Sequence, residues 1–237
     1  MSTTDTAHDR IARAELAAWR EKVLRPPGAL AKAAKGLQTQ INSMIPEKVH
    51  QAVTAVIEQM TRGILIGSDF VTPPPRAGLS LEEREALVRK AITGYRNVAS
   101  AEGGVAGAGG FLLAAADFPA LIAIKIKLLF EIAALYGHDG VDWRERLYIL
   151  SIFQLAFSSA DHRKAVYEAM ISPDQPTSPE TFDWRRFQQE YRDYIDLAKM
   201  AQLLPVVGAP VGAIVNWRLV EQLGETAINA YRLRWFA

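Results

Sequence analysis

The chain has no cysteine among its 237 residues. Disulfides, iron–sulfur clusters, thiolate zinc sites and a cysteine nucleophile are therefore excluded. It also lacks a charge imbalance: 27 basic residues meet 26 acidic ones, for a net charge of +1. Dedicated nucleic-acid binders carry a large basic excess, so no nucleic-acid partner is expected. The four histidines, His8, His50, His138 and His162, are scattered. No H-E-x-x-H pair exists, and no metal or other cofactor is expected. There is no G-x-S-x-G and no G-x-x-x-x-G-K-[ST]. No stretch alternates apolar and polar residues as a half-buried strand does, and no repeat of fixed period is seen.

What the chain has in quantity is helical periodicity. Hydrophobic residues make up 49% and charged residues 22%, with a mean hydropathy of +0.01. That apolar fraction can build a sizeable core and excludes disorder over most of the length. Residues 1–8 are polar, lack the order of a secretory signal, and are expected to fray. A helix reads from His8 to Leu24, with Ile11, Leu16, Ala17 and Val23 toward a core, and Pro26-Pro27 stop it. Further helices read from Leu30 to Met44 and from Pro46 through Met60. Pro73-Pro74-Pro75 interrupts the helices, and Ser80 with Glu83 spells a capping box for a helix to about Ala101.

A glycine-rich lead follows, then a short apolar helix at Phe111–Ala116 and a longer one from Phe118 to Tyr136. Asp117 reads as the N-cap of the longer helix, and Gly137 as its C-terminal stop. Asp142 and Glu145 start a helix to Phe157, and a short one runs from Asp161 to Ile171. Ser178-Pro179 opens a charged helix over Glu180–Leu203, and the last helix runs from Pro210 to about Arg234. The fold class is all-α. The expected organisation is a single compact multi-helix domain over 9–237, carrying two glycine-rich apolar helical motifs.

Two of these stretches carry a family resemblance. The first is Gly103-Gly104…Gly107…Gly110-Phe111…Ala116-Asp117…Pro119-Ala120-Leu121…Ile132-Ala133…Tyr136-Gly137-His138-Asp139. The second is Pro205-Val206-Val207-Gly208-Ala209…Gly212-Ala213…Asn216, followed by Ala227…Tyr231…Arg234. In order and spacing they resemble the two motifs of the EcsC protein family, and together they cover about the last 140 residues. Lys127 and His138 stand where arginine and tyrosine are frequent in that family. The resemblance implies an accessory role, cytoplasmic or peripheral to the membrane, because the family is named for a gene neighbouring an ABC transporter in a system linked to secretion. It supplies no catalytic residues.

The motif residues are weighed as binding positions: Gly104, Gly107, Gly110, Asp117, Pro119, Lys127, Tyr136, His138, Asp139, Pro205, Gly208, Gly212 and Asn216. The glycines follow a helix rather than a strand, so close backbone approach explains them better than a phosphate cradle. Gly103–Ile124 is 22 residues with one charge, but Pro119, the glycines and Asp117 interrupt it as a membrane span. Buried core helices are the favoured reading and reversible membrane insertion the competitor. Asp117 could instead be a buried polar centre, paired with Lys125, Lys127 or Arg218 and joined by Asn216. The motifs would then meet in space.

The C-terminal Trp217, Arg218, Arg232, Arg234, Trp235 and Phe236 suit a membrane interface. A helix docked by its aromatics with the arginines solvated is the preferred reading. Three functions follow as expectations. The first is a non-enzymatic accessory to transport or secretion, with peripheral membrane contact and a membrane-transport protein as partner. The second is a module that binds an apolar ligand or partner helix between the motifs. The third is a hydrolase using Asp117, His138 or Asp139.

Overall fold

The structure, a computed structural model, describes residues 5–26, 73–108, 110–159, 162–173 and 209–237, with Ala55, Thr61, Gly63, Ile64 and Arg185 besides. At 102–108, 110–119, 121, 209–212 and 215 it describes the backbone alone. The helices expected over 30–44, 46–60 and 180–203, and the motif residues Pro205 and Gly208, lie outside the described set apart from single positions.

Regular structure among the described residues is helical, in six segments. These are α1 (Ala7–Leu24), α2 (Leu81–Ala108), α3 (Gly110–Leu135), α4 (Trp143–Phe157), α5 (Arg163–Ile171) and α6 (Ala209–Trp235). Local signals place most of their ends. Thr6 caps α1 through a capping box with Asp9. Ser80 and Glu83 form the capping box read from the sequence, with reciprocal bonds of 2.8 and 3.3 Å. Asp142 caps α4 by accepting the Arg144 N–H at 3.0 Å.

Gly137 ends α3 at φ +90°, a conformation side chains disfavour. Its N–H donates to the Ala134 carbonyl, and that of His138 to Ala133, the paired bonds of a Schellman motif.

Two expectations fail in the middle of the chain. The helix expected to end near Ala101 does not stop there: α2 continues through Gly103, Gly104 and Gly107 to Ala108. Nor does Asp117 open a helix. The chain re-enters helix at Gly110 and runs unbroken through Asp117 and Pro119 to Leu135. Proline in a helix interior removes one bond, here to the Ala115 carbonyl, at a cost of about 3 kcal/mol. That cost stops isolated helices but can be offset by tertiary contacts elsewhere along a helix. In α1 the inward stripe is Ala12, Leu16, Trp19 and Val23, while Ile11 is 57% exposed and Ala17 is also exposed. The spacing i, i+4, i+7, i+11 selects that stripe.

The helices assemble around α6. It runs antiparallel to α2, with Glu85 near Arg232, Arg89 near Glu225 and Arg96 near Glu221. It runs antiparallel to α4 as well, where the Tyr148 hydroxyl donates to the Ala230 carbonyl at 2.6 Å. From Thr226 to Arg232 every residue of α6 is buried, so the helix is enclosed there. The result is a single compact helical domain with α6 through its core.

α2 and α6 approach closely at Gly224. A Cβ there would stand 2.5 and 2.6 Å from Ile92 Cδ1 and Cγ1. Gly224→Ala is expected to destabilise the fold by about 1–3 kcal/mol despite alanine's better helix propensity. Urea denaturation reads the loss, and adding Ile92→Ala should relieve the clash. Equal stability of Gly224→Ala and the parent would refute the close approach.

Candidate functional site

Each motif residue can now be placed. Gly104 and Gly107 lie in the last turns of α2, and Gly110 is the first residue of α3. Asp117 and Pro119 lie inside α3, and Gly212 in the first turn of α6. Lys127 is exposed on α3. The two motifs do meet. Lys125 of the first lies 1% exposed, and its Nζ donates to Asn216 Oδ1 of the second at 3.4 Å, itself 1% exposed. Burial pulls the Lys125 ammonium down to about 8. Arg218 is exposed, away from this junction.

Tyr136, His138 and Asp139 sit at the opposite end of α3. From position 117 to 135 the helix rises about 27 Å, so Asp117 and His138 are not gathered into one acid/base centre. Asp139 is exposed and accepts the Val141 N–H within its own turn at 2.9 Å. His138 is half-buried, stacked on Tyr231 with ring centroids 5.3 Å apart. Its Nδ1 lies 3.7 Å from Glu145 Oε2. Tyr136 stacks on Tyr231 at 4.9 Å, and its hydroxyl donates to Glu85 at 3.4 Å. Among the described residues no group of three His, Asp or Glu side chains could hold a metal ion.

This end of the bundle is built on buried charge pairings that the sequence reading did not indicate. Glu85, 1% exposed, is bound in a fork by Arg232. Arg232 Nε donates to Oε1 at 2.6 Å and Nη2 to Oε2 at 2.7 Å. His8 Nε2 lies 3.0 Å from Glu85 Oε2, and Arg232 Nη1 donates to Glu15 at 2.7 Å, so α1 is tied in as well. Glu145 is the second buried carboxylate. It accepts from the Tyr231 hydroxyl and from Arg234 Nη1, each at 2.5 Å. The Arg234 guanidinium also lies over the Tyr148 ring, 3.4 Å from its centroid.

Arg84 closes the end by donating to the carbonyls of Arg76, Leu79 and Leu135. The signal was present: Arg84 and Glu85 fall among the buried Leu81, Val88 and Ile92, at helical spacing. A charge on an apolar stripe needs a buried partner, and Arg232 is it.

These pairings correct the expectation for the C-terminus. Arg232 is buried and Arg234 only partly exposed, and both are paired with buried carboxylates, Glu85 and Glu145. Phe236 packs against the core under Arg13, whose guanidinium lies 4.0 Å from its ring centre. Trp217 and Trp235 stay 39% and 41% exposed, beneath Arg96 and Arg84.

Away from both places, α2 and α3 leave an open groove of about 610 Å³ between them. It lies on the α2–α3 face, whereas the Lys125–Asn216 meeting of the motifs lies between α3 and α6.

Among the described residues no helix is long and apolar enough to cross a membrane. The protein is thus an all-α domain whose C-terminal helix is clamped by buried ion pairs. The chain belongs to the EcsC protein family, whose profile matches residues 10–236. It is 45% identical over 217 residues to Protein EcsC of Bacillus subtilis (strain 168), covering 91% of each chain. It is 29% identical over 143 residues to the uncharacterized protein YdbA of the same organism, covering 58% of this chain and 53% of that one. No solved structure matches.

Two predictions follow from the clamp. Arg232→Met strands Glu85 in the interior and is expected to cost about 3–5 kcal/mol of stability in urea at pH 7. Adding Glu85→Met should recover most of that loss; no recovery would show that Arg232 acts through packing alone.

The second concerns pH. Burial is the main cause that holds His138 below 6.5; Arg234 and Arg84 add to it and Glu145 opposes it. For Glu85, burial alone would raise the carboxyl, but bonds and charge from Arg232 and His8 outweigh it, leaving it below 4.5. Both depressed groups contribute stability that is full above their unfolded values and is lost as pH falls through the folded ones. The urea midpoint should therefore begin to fall below pH 6.5 and fall again below 4.5. His138→Tyr should remove the upper decline alone. An unchanged upper decline in that variant would assign it elsewhere.

Proposed function

We propose that this EcsC family member is a non-enzymatic accessory to membrane transport or secretion, acting at the cytoplasmic face of the membrane. It docks there through the turn of the α2–α3 hairpin and works beside a membrane-transport protein. The observation that carries this reading is the sequence of that turn. Between Glu102 and Asp117 lie fourteen residues, GGVAGAGGFLLAAA, with no charge. Gly109 apart, they lie in the last turns of α2 and the first turns of α3.

Each uncharged arm rises about 10 Å. Interfacial helices bury to about 5–10 Å, whereas a bilayer core is about 30 Å thick. The arms thus suit entry into one leaflet and fall far short of a span. Family membership supplies the transport side of the reading, through the family's tie to the neighbourhood of an ABC transporter.

Flotation of the purified protein with phosphatidylglycerol-containing vesicles tests the membrane step. The parent is expected to float with the vesicles. Leu112→Glu should remain at the bottom while keeping the parent's helical circular dichroism and thermal midpoint. Flotation unaffected by the charge, or no flotation of the parent, would sink the reading.

A further inference from the structure

The groove between α2 and α3 has a glycine where the fold gains nothing from one. Gly94 sits in the interior of α2 and is exposed. Glycine there costs about 1 kcal/mol against alanine. Its φ is not positive, and among the described residues nothing lies within 4 Å of where a Cβ would stand. Neither backbone conformation nor internal packing asks for it. Gly137 and Gly224 differ, since each has a turn or a neighbour that excludes a side chain.

Gly94 lies midway along the groove floor. Leu87, Ala91 and Val98 continue the floor on α2, and Ile124 and Leu135 form it on α3. The α2 positions recur at i, i+4, i+7 and i+11, a ridge about 16 Å long, or three helical turns. Val98 remains 51% exposed on it. The rim is basic. Arg76, Lys90 and Lys127 border the groove, all exposed, and none has an ion pair among the described residues. Among the described residues the bordering carboxylate is Glu131, which takes a hydrogen bond from the Tyr95 hydroxyl. Arg76 stands at the end of α3, its N–H on the Ala134 carbonyl, while Lys127 lies about 12 Å back along the helix.

We infer that this groove is the docking site for an amphipathic helix of a partner protein, its apolar stripe crossing at Gly94 and its flanks carrying Asp or Glu. An open trough of this length accepts the apolar face of a helix. The missing Cβ lets the partner backbone approach closely. Cations at both ends and along one edge complement carboxylates spaced over several turns. A single-chain amphiphile has one charged end and leaves the other end unmatched. The inference does not depend on membrane docking, because the groove and the uncharged hairpin turn share no residue.

The probe is a fluorescein-labelled, lactam-bridged peptide of about four helical turns. It carries leucine and alanine on one face and glutamate on the flanks. A second peptide carries lysine in place of each glutamate. Fluorescence anisotropy is expected to show saturable binding of the acidic peptide and at least about tenfold weaker binding of the basic one. Gly94→Leu should keep or raise the thermal midpoint, still float with vesicles, and weaken the acidic peptide about tenfold or more. Lys90→Glu with Lys127→Glu should reverse the preference between the peptides.

No saturable binding of the acidic peptide overturns the inference, as does equal binding of the two peptides or an unchanged affinity in Gly94→Leu. A palmitate arm separates the lipid case. Palmitate binding that Gly94→Leu abolishes, without peptide binding, assigns the groove to an acyl chain and overturns the helix.

Discussion

The forked bond between Arg232 and Glu85 is the constraint on which the rest of the bundle depends. Both groups are almost wholly removed from water, so either one alone would carry a large desolvation penalty. Sliding α6 along α2 by one turn would leave both unpaired. The pair thus penalises every register but one, and α6 is the helix on which α2, α3, α4 and α1 converge. Glu15 and His8 extend the constraint to α1. Glu145, Tyr231 and Arg234 repeat it on the α4 side. Hydrophobic burial drives the helices together, but it is indifferent to small slips that charges do not permit.

The bundle is polarised as a result. At one end sit buried carboxylates, guanidinium groups and stacked rings. Toward the other, past the Lys125–Asn216 junction, α2 and α3 run into a turn without charge. Glycine serves different ends along this axis. At Gly137 it supplies a positive φ, and at Gly224 it makes room for Ile92. At Gly94 it leaves space that the described fold does not use. Only the surroundings distinguish these cases, since the residue is the same.

Much of the local architecture was legible. Ser80 with Glu83, Asp142 and Gly137 were read correctly because caps and stops depend on a few neighbouring residues. The middle of the chain was misread for the same reason. Gly103–Gly110 looks like a loop and Asp117-Phe118-Pro119 looks like a helix start when only local propensity is considered. Tertiary context overrides such local costs, so one helix continues where two were expected. At the candidate site Tyr136, His138 and Asn216 were found through the motifs. The pairing of Glu85 with Arg232 was not, although each lies on an apolar stripe. Their partnership spans 147 positions, and no short window contains both.

The sequence by itself determined the helical class, most helix ends and the family, because periodicity, caps and motifs are written in nearby residues. It also excluded thiol chemistry outright, since no cysteine is there to perform it. Only the tertiary structure decided that Arg232 and Arg234 pair with buried carboxylates, that Lys125 meets Asn216, and that Gly94 lines a groove. Those outcomes rest on what stands opposite each side chain across a helix interface, and burial there sets whether a charge is solvated, paired or left out.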